Sequence, residues 1–539
     1  MTRLRGAAAP ALLTLLFFLL SCSVSLVSFS RNFEGGITHE FCQYAEIGRN
    51  ILEGKGFVSG MVTATYLAYL DKRGIPFDGQ RLSPVLDRFP VHAYLSAAAQ
   101  GLMGKNDAAV GALSIFLLAL CAAATFWVGR RVATPWEAAA AALFVAFNPS
   151  FQRGFVLWGL VDFGFAFLTL MAVWALLKGP AGAWRCAFAG ALSGLAFLSR
   201  SNFGIWVPLF AVALWLFSED NRFTRIGCFL LGAAVVSAPA WIQSWRWTGS
   251  LIPHPLAVNL ADSVVDKAPS LSYRVFAPDG ILRDHFRAFA HKYWSFLTQT
   301  LKDFPALWQM NFIFPAAVFG FYEVNAGSEL AARRFFRLML AMLVLQVLVF
   351  SGLRYEVLSP NARGRYFLWF APAAFLLAAR GAAAAGRRLG DARALLIGFA
   401  LGNLVFFSKH LLSPRAPWVH PGQLMVRDWP ELQAASFAAG DGLLVSNLPA
   451  QAAWYTRHYS VMLPSDPADI SAIGRKHPVA AILISRLGPG ELGYAPKWAE
   501  IIDDQGRLAR FCGENGFAVI ADFGTAVLLK AGSPHRHRG

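Results

Sequence analysis

What most constrains this chain is a recurring block of about 17 to 23 apolar residues, the length a helix needs to cross roughly 30 Å of hydrocarbon. Such blocks fall at about 8–30, 107–128, 134–153, 157–177, 186–199, 203–217, 226–243, 306–322, 337–353, 366–380 and 394–411. With 56% hydrophobic and 15% charged residues among 539, no soluble fold has enough interior to cover them. The pattern predicts a polytopic α-helical membrane protein with about 11 transmembrane helices. The formal net charge of +16 would suggest nucleic acid in a soluble protein. Here the basic residues sit mainly in short loops between apolar blocks, where they set topology, and no nucleic-acid partner is expected. The six cysteines show no metal-type spacing and no disulfide framework.

Alternate loops differ in charge. One set carries Arg3 and Arg5, Arg130 and Arg131, Lys178 and Arg185, Arg222 and Arg225, Arg333, Arg334 and Arg337, and Arg380, Arg387, Arg388 and Arg393. The positive-inside rule makes these cytoplasmic. The remaining connections then face outward: 31–106, about 244–305, about 354–365, and the tail. Long loops that share one side mark it as the face for chemistry or binding. Leu19-Leu20-Ser21-Cys22 resembles a lipoprotein cleavage site, but the apolar run continues to Val27 and Phe29, as an uncleaved anchor requires.

From 412 the composition becomes ordinary. Short β-like runs lie at Leu443–Ser446, Val479–Ile484, Ala518–Ala521 and Ala526–Leu529. Helical stretches fall between them, one with Trp429, Leu432 and Phe437, another with Trp498, Ile501, Ile502 and Leu508. The chain therefore divides into a transmembrane domain, 1–411, whose first outer loop 31–106 bears amphipathic helices, and a small C-terminal α/β extracytoplasmic domain, 412–539. The His-rich stretch 534–538 reads as a disordered tail.

Several polar residues stand on the expected outer face. Glu40 begins a helix on which Tyr44, Ile47, Ile51 and Leu52 share a face, read as an amphipathic helix along the membrane surface that ends at Gly54 and Gly56. Its bland reading is a helix-start carboxylate meeting the dipole. Asp87 and Arg88 precede a second short helix begun by Pro90, and both also suit solvated surface charges. Asp162 is a lone carboxylate at the edge of a long uncharged segment, a costly placement that favours a functional role. Arg200, Arg246 and Arg365 lie at the outer ends of apolar blocks. Each alone suits an interface anchor, but together with two carboxylates they suggest an anionic substrate, because guanidinium forks match phosphate oxygens.

The order of these features resembles the GT-C superfamily of membrane glycosyltransferases, in particular the glycosyltransferase family 39 group of protein O-mannosyltransferases and aminoarabinose transferases. The resemblance rests on Glu40 to Tyr44 with Ile47 and Gly54; Asp87-Arg88-Phe89-Pro90; Asp162; Leu198-Ser199-Arg200; Pro239-Ala240-Trp241 with Arg246 and Gly249; Arg365-Tyr366; and Asn447-Leu448-Pro449 to Trp454-Tyr455-Thr456-Arg457. Two departures stand out: Glu40 occupies a position where the family usually has Asp, and Phe89 replaces a Pro.

The resemblance implies an inverting glycosyltransferase in the cell inner membrane, working on its outer face. The donor would be a polyprenyl-phosphate-linked sugar and the acceptor a lipid, glycan or protein. Glu40 and Asp162 would be catalytic, and Tyr44, Asp87, Arg88, Arg200, Arg246, Arg365 and Tyr366 would bind substrate. A divalent metal ion (Mg, Mn or Zn) is an open expectation, with Asp87, Asp162, His92 and His254 as candidate ligands. Two other readings remain: a transporter or lipid flippase, and a non-catalytic relative that binds polyprenyl lipid. No matching interrupted helices in the two halves support the first.

Overall fold

The structure, a computed structural model, describes residues 2–75, 82–85, 87–177, 182–218, 220–249, 255–327, 329–353, 360–412, 424–487 and 495–532. Lys178, His254, part of the expected third outer loop and the His-rich tail lie outside the described residues.

The chain starts with a long helix, α1 (Thr2–Asn32), and a compact unit over residues 39–103 follows. That unit comprises α2 (His39–Leu52), β1 (Val58–Ser59), β2 (Met61–Val62), α3 (Ala64–Arg73), β3 (Ser83–Pro84) and α4 (Pro90–Met103). The helical body then runs through α5 (Asp107–Val132), α6 (Pro135–Phe147), α7 (Asp162–Leu177), α8 (Ala183–Ser199), α9 (Val207–Phe217) and α10 (Arg222–Thr248). Shorter helices α11 (Pro255–Ala261) and α12 (Pro278–Asp284) lead to α13 (Phe286–Asp303), α14 (Phe314–Gly327), α15 (Leu330–Leu353), α16 (Pro360–Phe367), α17 (Ala371–Arg388) and α18 (Ala392–Leu412). The tail contributes α19 (Pro430–Ala439), β4 (Leu443–Ser446), α20 (Pro449–Gln451), β5 (Ser460–Met462), α21 (Asp469–Gly474), β6 (Val479–Ser485), α22 (Pro496–Asp503), α23 (Gln505–Asn515), β7 (Phe517–Asp522) and β8 (Ala526–Ala531).

Among the described residues, five helices are long and apolar enough to cross a membrane: Ala9–Asn32, Asp107–Val132, Arg222–Trp247, Leu330–Leu353 and Gly364–Arg388. Four shorter apolar helices fall on other expected blocks, at Pro135–Phe147, Asp162–Leu177, Ala183–Ser199 and Ser201–Phe217. Some blocks are broken where a continuous helix was expected. The block at 134–153 stops at Asn148, whose side chain accepts the Phe151 N–H at 3.2 Å, and resumes as a π-helical turn over Phe151–Val156. The block at 306–322 begins as a 3-10 stretch, Phe304–Phe312, in which Trp308 has φ +52°. Close helix contacts use small residues: Cβ atoms added at Gly320 of α14 and Gly381 of α17 would each lie 1.9 Å from a carbonyl oxygen of the other helix.

The tail's sheet is not built from the tail alone. Its six strands run in the order β2-β5-β4-β6-β8-β7, so the edge strand Met61–Val62 comes from the segment between α2 and α3, parallel to β5. Alternation along β4 splits the apolar residues between two cores. Leu443 and Val445 face a core that includes Tyr66, Leu67 and Leu70 of α3, whereas Leu444 faces Trp429, Leu432 and Leu528. The stretch expected as one helix around Trp498 and Leu508 is two. Asp504 interrupts it and caps the second, accepting the N–H groups of Gly506 and Arg507 at 2.8 and 3.0 Å.

Helix α2 also differs from expectation. Residues Phe41 to Asn50 are all buried, so the helix does not lie on a lipid surface. It packs against α4 on one side and the tail's 449–456 segment on the other. Arg49 fixes the second contact. Its Nη1 and Nη2 donate to the carbonyls of Trp454 and Ala453 at 2.7 and 2.8 Å, and its guanidinium lies 5.0 Å from the Trp454 ring centre. Trp454 Nε1 and the Tyr455 hydroxyl then donate to Asp107, in the first turn of α5, at 2.7 and 2.9 Å. The polarity that suggested an amphipathic surface helix is taken up by internal contacts: Arg49 by this latch, Gln43 by Arg88, and Glu46 by the Gly60 N–H at 3.0 Å.

Candidate active site

Glu40 lies in the first turn of α2, after the capping residue Thr38, whose hydroxyl oxygen accepts the Phe41 N–H at 3.2 Å. The same hydroxyl donates to the Trp158 carbonyl at 2.9 Å, tying the start of α2 to the turn that precedes α7. Gly159 makes that turn possible. It has φ +62°, and a Cβ there would sit 2.4 Å from the Phe41 ring. Asp162, three residues on, is the first residue of α7 and only 1% exposed at its side chain.

These two carboxylates, 122 positions apart in sequence, are joined by one guanidinium. Arg365, in the last turn of α16, donates through Nη2 to Glu40 Oε2 and through Nε to Asp162 Oδ2 at 3.1 Å. Arg200 follows the last residue of α8 in extended conformation and pairs through Nη2 with Asp162 Oδ1 at 2.5 Å. Its guanidinium also lies 5.5 Å from the centre of the Tyr366 ring. Arg88 approaches Glu40 Oε1 at 3.9 Å and is steered by Gln43, to which its Nε donates at 2.6 Å. Three guanidinium groups thus face two carboxylates, leaving one formal positive charge at the centre.

Burial alone would raise the pKa of Glu40, but Arg365, Arg88 and Arg200 outweigh it and lower the pKa to about 2. Tyr44 is buried, and its phenol is pushed up by burial; its ring meets His92 edge-on at 4.8 Å. His92 is 2% exposed, and burial lowers its pKa to about 4 despite the nearby Glu40 carboxylate. The imidazole is therefore neutral at pH 7. For Arg88, burial is overcome by Asp87 and Glu40, which hold its proton more tightly.

Of the residues singled out in sequence, the structure brings together Glu40, Tyr44, Arg88, His92, Asp162, Arg200, Arg365 and Tyr366. Asp87 is half-buried and adjoins the group through its field on Arg88. Arg246 is exposed in the last turn of α10 and makes no ion pair among the described residues. His254 lies outside the described residues. Sequence reasoning missed Gln43, which orients Arg88, and Gln346, an amide fully buried in α15. Gln346 left one legible sign, a primary amide in the middle of the apolar block 337–353.

Of the candidate metal ligands, Asp162 is taken up by Arg365 and Arg200, and His254 lies outside the described residues. The Arg365 guanidinium fills the space between Asp162 and Glu40, with Arg200 and Arg88 beside it. Among the described residues no group of three His, Cys, Asp or Glu side chains is arranged to hold a metal.

The fold is shared with solved membrane-protein structures. A crystal structure of ArnT from Cupriavidus metallidurans bound to undecaprenyl phosphate aligns over 96% of this chain and 99% of its own, with a TM-score of 0.51 at 14% identity. The Archaeoglobus fulgidus oligosaccharyltransferase in complex with Zn and sulfate aligns over 95% of this chain and 73% of its own, with a TM-score of 0.51 at 12% identity. The archaeal oligosaccharyltransferase AglB from the same organism, with an inhibitory peptide and a dolichol-phosphate, gives 0.50 at 12% identity over 96% and 74%. These likenesses give the fold of this chain. Within it, residues 87–245 match the family model of dolichyl-phosphate-mannose-protein mannosyltransferase. That segment holds Asp87, Arg88, Asp162 and Arg200, but not Glu40 or Arg365. No curated protein matches the sequence.

Proposed function

We propose that this chain is a glycosyltransferase that takes a sugar from a polyprenyl-phosphate carrier and passes it to an acceptor on the outer face of the inner membrane. The observation that carries the reading is Arg365 bridging Glu40 and Asp162, with Arg200 and Arg88 beside them. An anion-binding group next to a carboxylate base suits transfer from a phosphate leaving group. The matched segment's dolichyl-phosphate-mannose description, and the undecaprenyl phosphate and dolichol-phosphate bound by two neighbours in fold, support the choice of carrier. The charge asymmetry of the loops supports the outer face.

In the proposed reaction Glu40 removes a proton from an acceptor hydroxyl or amine. The acceptor attacks the anomeric carbon, the bond from that carbon to phosphate oxygen breaks, and polyprenyl phosphate leaves. The configuration at carbon inverts. Arg365, Arg200 and Arg88 hold the charge that develops on the phosphate, and Asp162 orients the first two. A carboxylate held at about 2 is a weak base while Arg365 remains bonded to it. The donor phosphate competes for the same guanidinium, so its arrival releases Glu40 and raises its basicity.

Sugar transfer from polyprenyl-phosphate donors by membranes carrying wild type, Glu40→Gln or Asp162→Asn tests the reading, alongside mass spectrometry of envelope glycans with and without the protein. Transfer lost in both variants is expected. Full activity in both overturns the site, lipid binding without transfer marks a non-catalytic relative, and translocation without transfer marks a transporter.

A further inference from the structure

We propose that Gln346 and Trp308 are positioning residues for Arg365, pinning the backbone on either side of it so that its guanidinium is held over Glu40 and Asp162. The inference rests on the functional reading only for what Arg365 does, not for how it is held.

The two carbonyls that flank Arg365 each accept a buried side-chain donor. Trp308 Nε1 donates to the Gly364 carbonyl at 2.7 Å, and Gln346 Nε2 donates to the Tyr366 carbonyl at 2.7 Å. Both donors are themselves fixed. Asn148, where α6 ends, donates through Nδ2 to the Trp308 carbonyl at 2.9 Å, holding a residue whose φ of +52° is otherwise unfavourable. Gln346 accepts from Trp369 Nε1 at 2.7 Å, so both ends of its amide are occupied by the segment around Arg365.

This anchoring reaches the other arginine of the site. Trp369 packs on Trp206 with ring centres 4.4 Å apart, and Trp206 ends the 3-10 turn that begins directly after Arg200. Trp206 Nε1 donates to the Met342 carbonyl, one turn before Gln346 on α15, at 3.1 Å. It also stacks on Phe165, three residues after Asp162, at 5.8 Å. One cluster of buried indoles and an amide therefore braces the segments that carry Arg365, Arg200 and Asp162. A primary amide in the apolar α15 is costly unless both its ends are bonded, and the bonds it makes go to the Arg365 segment. Loosening it lets the guanidinium drift by a fraction of an ångström, enough to matter where two carboxylates must be met at once.

The test uses purified full-length protein in lipid nanodiscs with Gln346→Met and Trp308→Phe, which keep the apolar bulk but remove the donors. Undecaprenyl phosphate affinity is measured for each, for Arg365→Met, and for Gln346→Met combined with Arg365→Met. Each single change is expected to weaken affinity by about tenfold or more. In the Arg365→Met background, Gln346→Met is expected to add no further loss, because the group it positions is gone. Unchanged affinity in both single variants, or losses that multiply in the double variant, overturns the inference. If wild type binds no lipid phosphate, the functional reading fails instead. The inference is then read from unfolding temperatures of the same four proteins: non-additive shifts for Gln346 and Arg365 support it, and additive shifts overturn it.

Discussion

Replacing Arg365 by Met removes the guanidinium while keeping an apolar stem, and its cost can be worked from the carboxylates it leaves behind. Asp162 keeps Arg200 at 2.5 Å, whereas Glu40 keeps Arg88 at 3.9 Å and the weaker field of Arg200. Glu40 is lowered from an ordinary 4.5 to about 2, and at 1.36 kcal/mol per unit its ionised form contributes about 3 kcal/mol. Breaking a buried pair by deleting one partner costs about 3–5 kcal/mol, in agreement. Because the folded pKa lies below the unfolded one, this stabilisation is fully present above about pH 4.5 and is lost as pH falls toward 2. Thermal unfolding of wild type and Arg365→Met should therefore differ most at pH 6–7, with the gap shrinking between about pH 4.5 and 3. A gap that stays constant from pH 7 to 3 would refute the assignment of Arg365 as the group that holds Glu40 ionised.

Three further outcomes follow from the geometry. Gly159→Ala adds a Cβ 2.4 Å from Phe41 at φ +62°, and should destabilise the protein by about 1–3 kcal/mol in chemical unfolding while displacing α2 and cutting sugar transfer; a variant with wild-type stability and transfer would contradict the packing. Trp454→Phe removes a donor to Asp107 without losing the ring's bulk, and hydrogen exchange along α2 should speed up about tenfold, since the latch holds that helix; unchanged exchange would dismiss the latch. Manganese titration followed by electron paramagnetic resonance should give the same curve for wild type and Glu40→Gln, because Arg365 fills the gap between the carboxylates. A bound ion lost on the substitution would reverse that conclusion.

Asp162 and Arg365 were legible because a charge at the rim of an apolar block is costly and therefore conspicuous. Their union with Glu40 was not, since nothing in chain order says that the start of α2 reaches the turn at Gly159. Arg246 stands apart from the group for a related reason. An arginine at the end of a span looks the same whether it turns inward or reaches water, and the rotation of α10 decides. Gln43 and Gln346 carry no charge and left only a faint polar mark. The burial of α2 on both faces hides in the tail, where Trp454 and Tyr455 read as ordinary aromatics until the fold brings them beside Arg49 and Asp107. Strand β5 spans three residues, too few for a period of two to show, and β2 has two and joins a sheet almost four hundred positions away.

The central claim is that the arginine-bridged carboxylates form the place where a lipid-phosphate sugar is consumed. Its most direct measurement is release of free polyprenyl phosphate from a polyprenyl-phosphate sugar, with acceptor present, by purified wild type and Glu40→Gln in the same nanodiscs. Acceptor-dependent release by wild type, slowed by about a hundredfold or more in the variant while lipid phosphate still binds, is the predicted result. Equal release by both proteins would contradict the account.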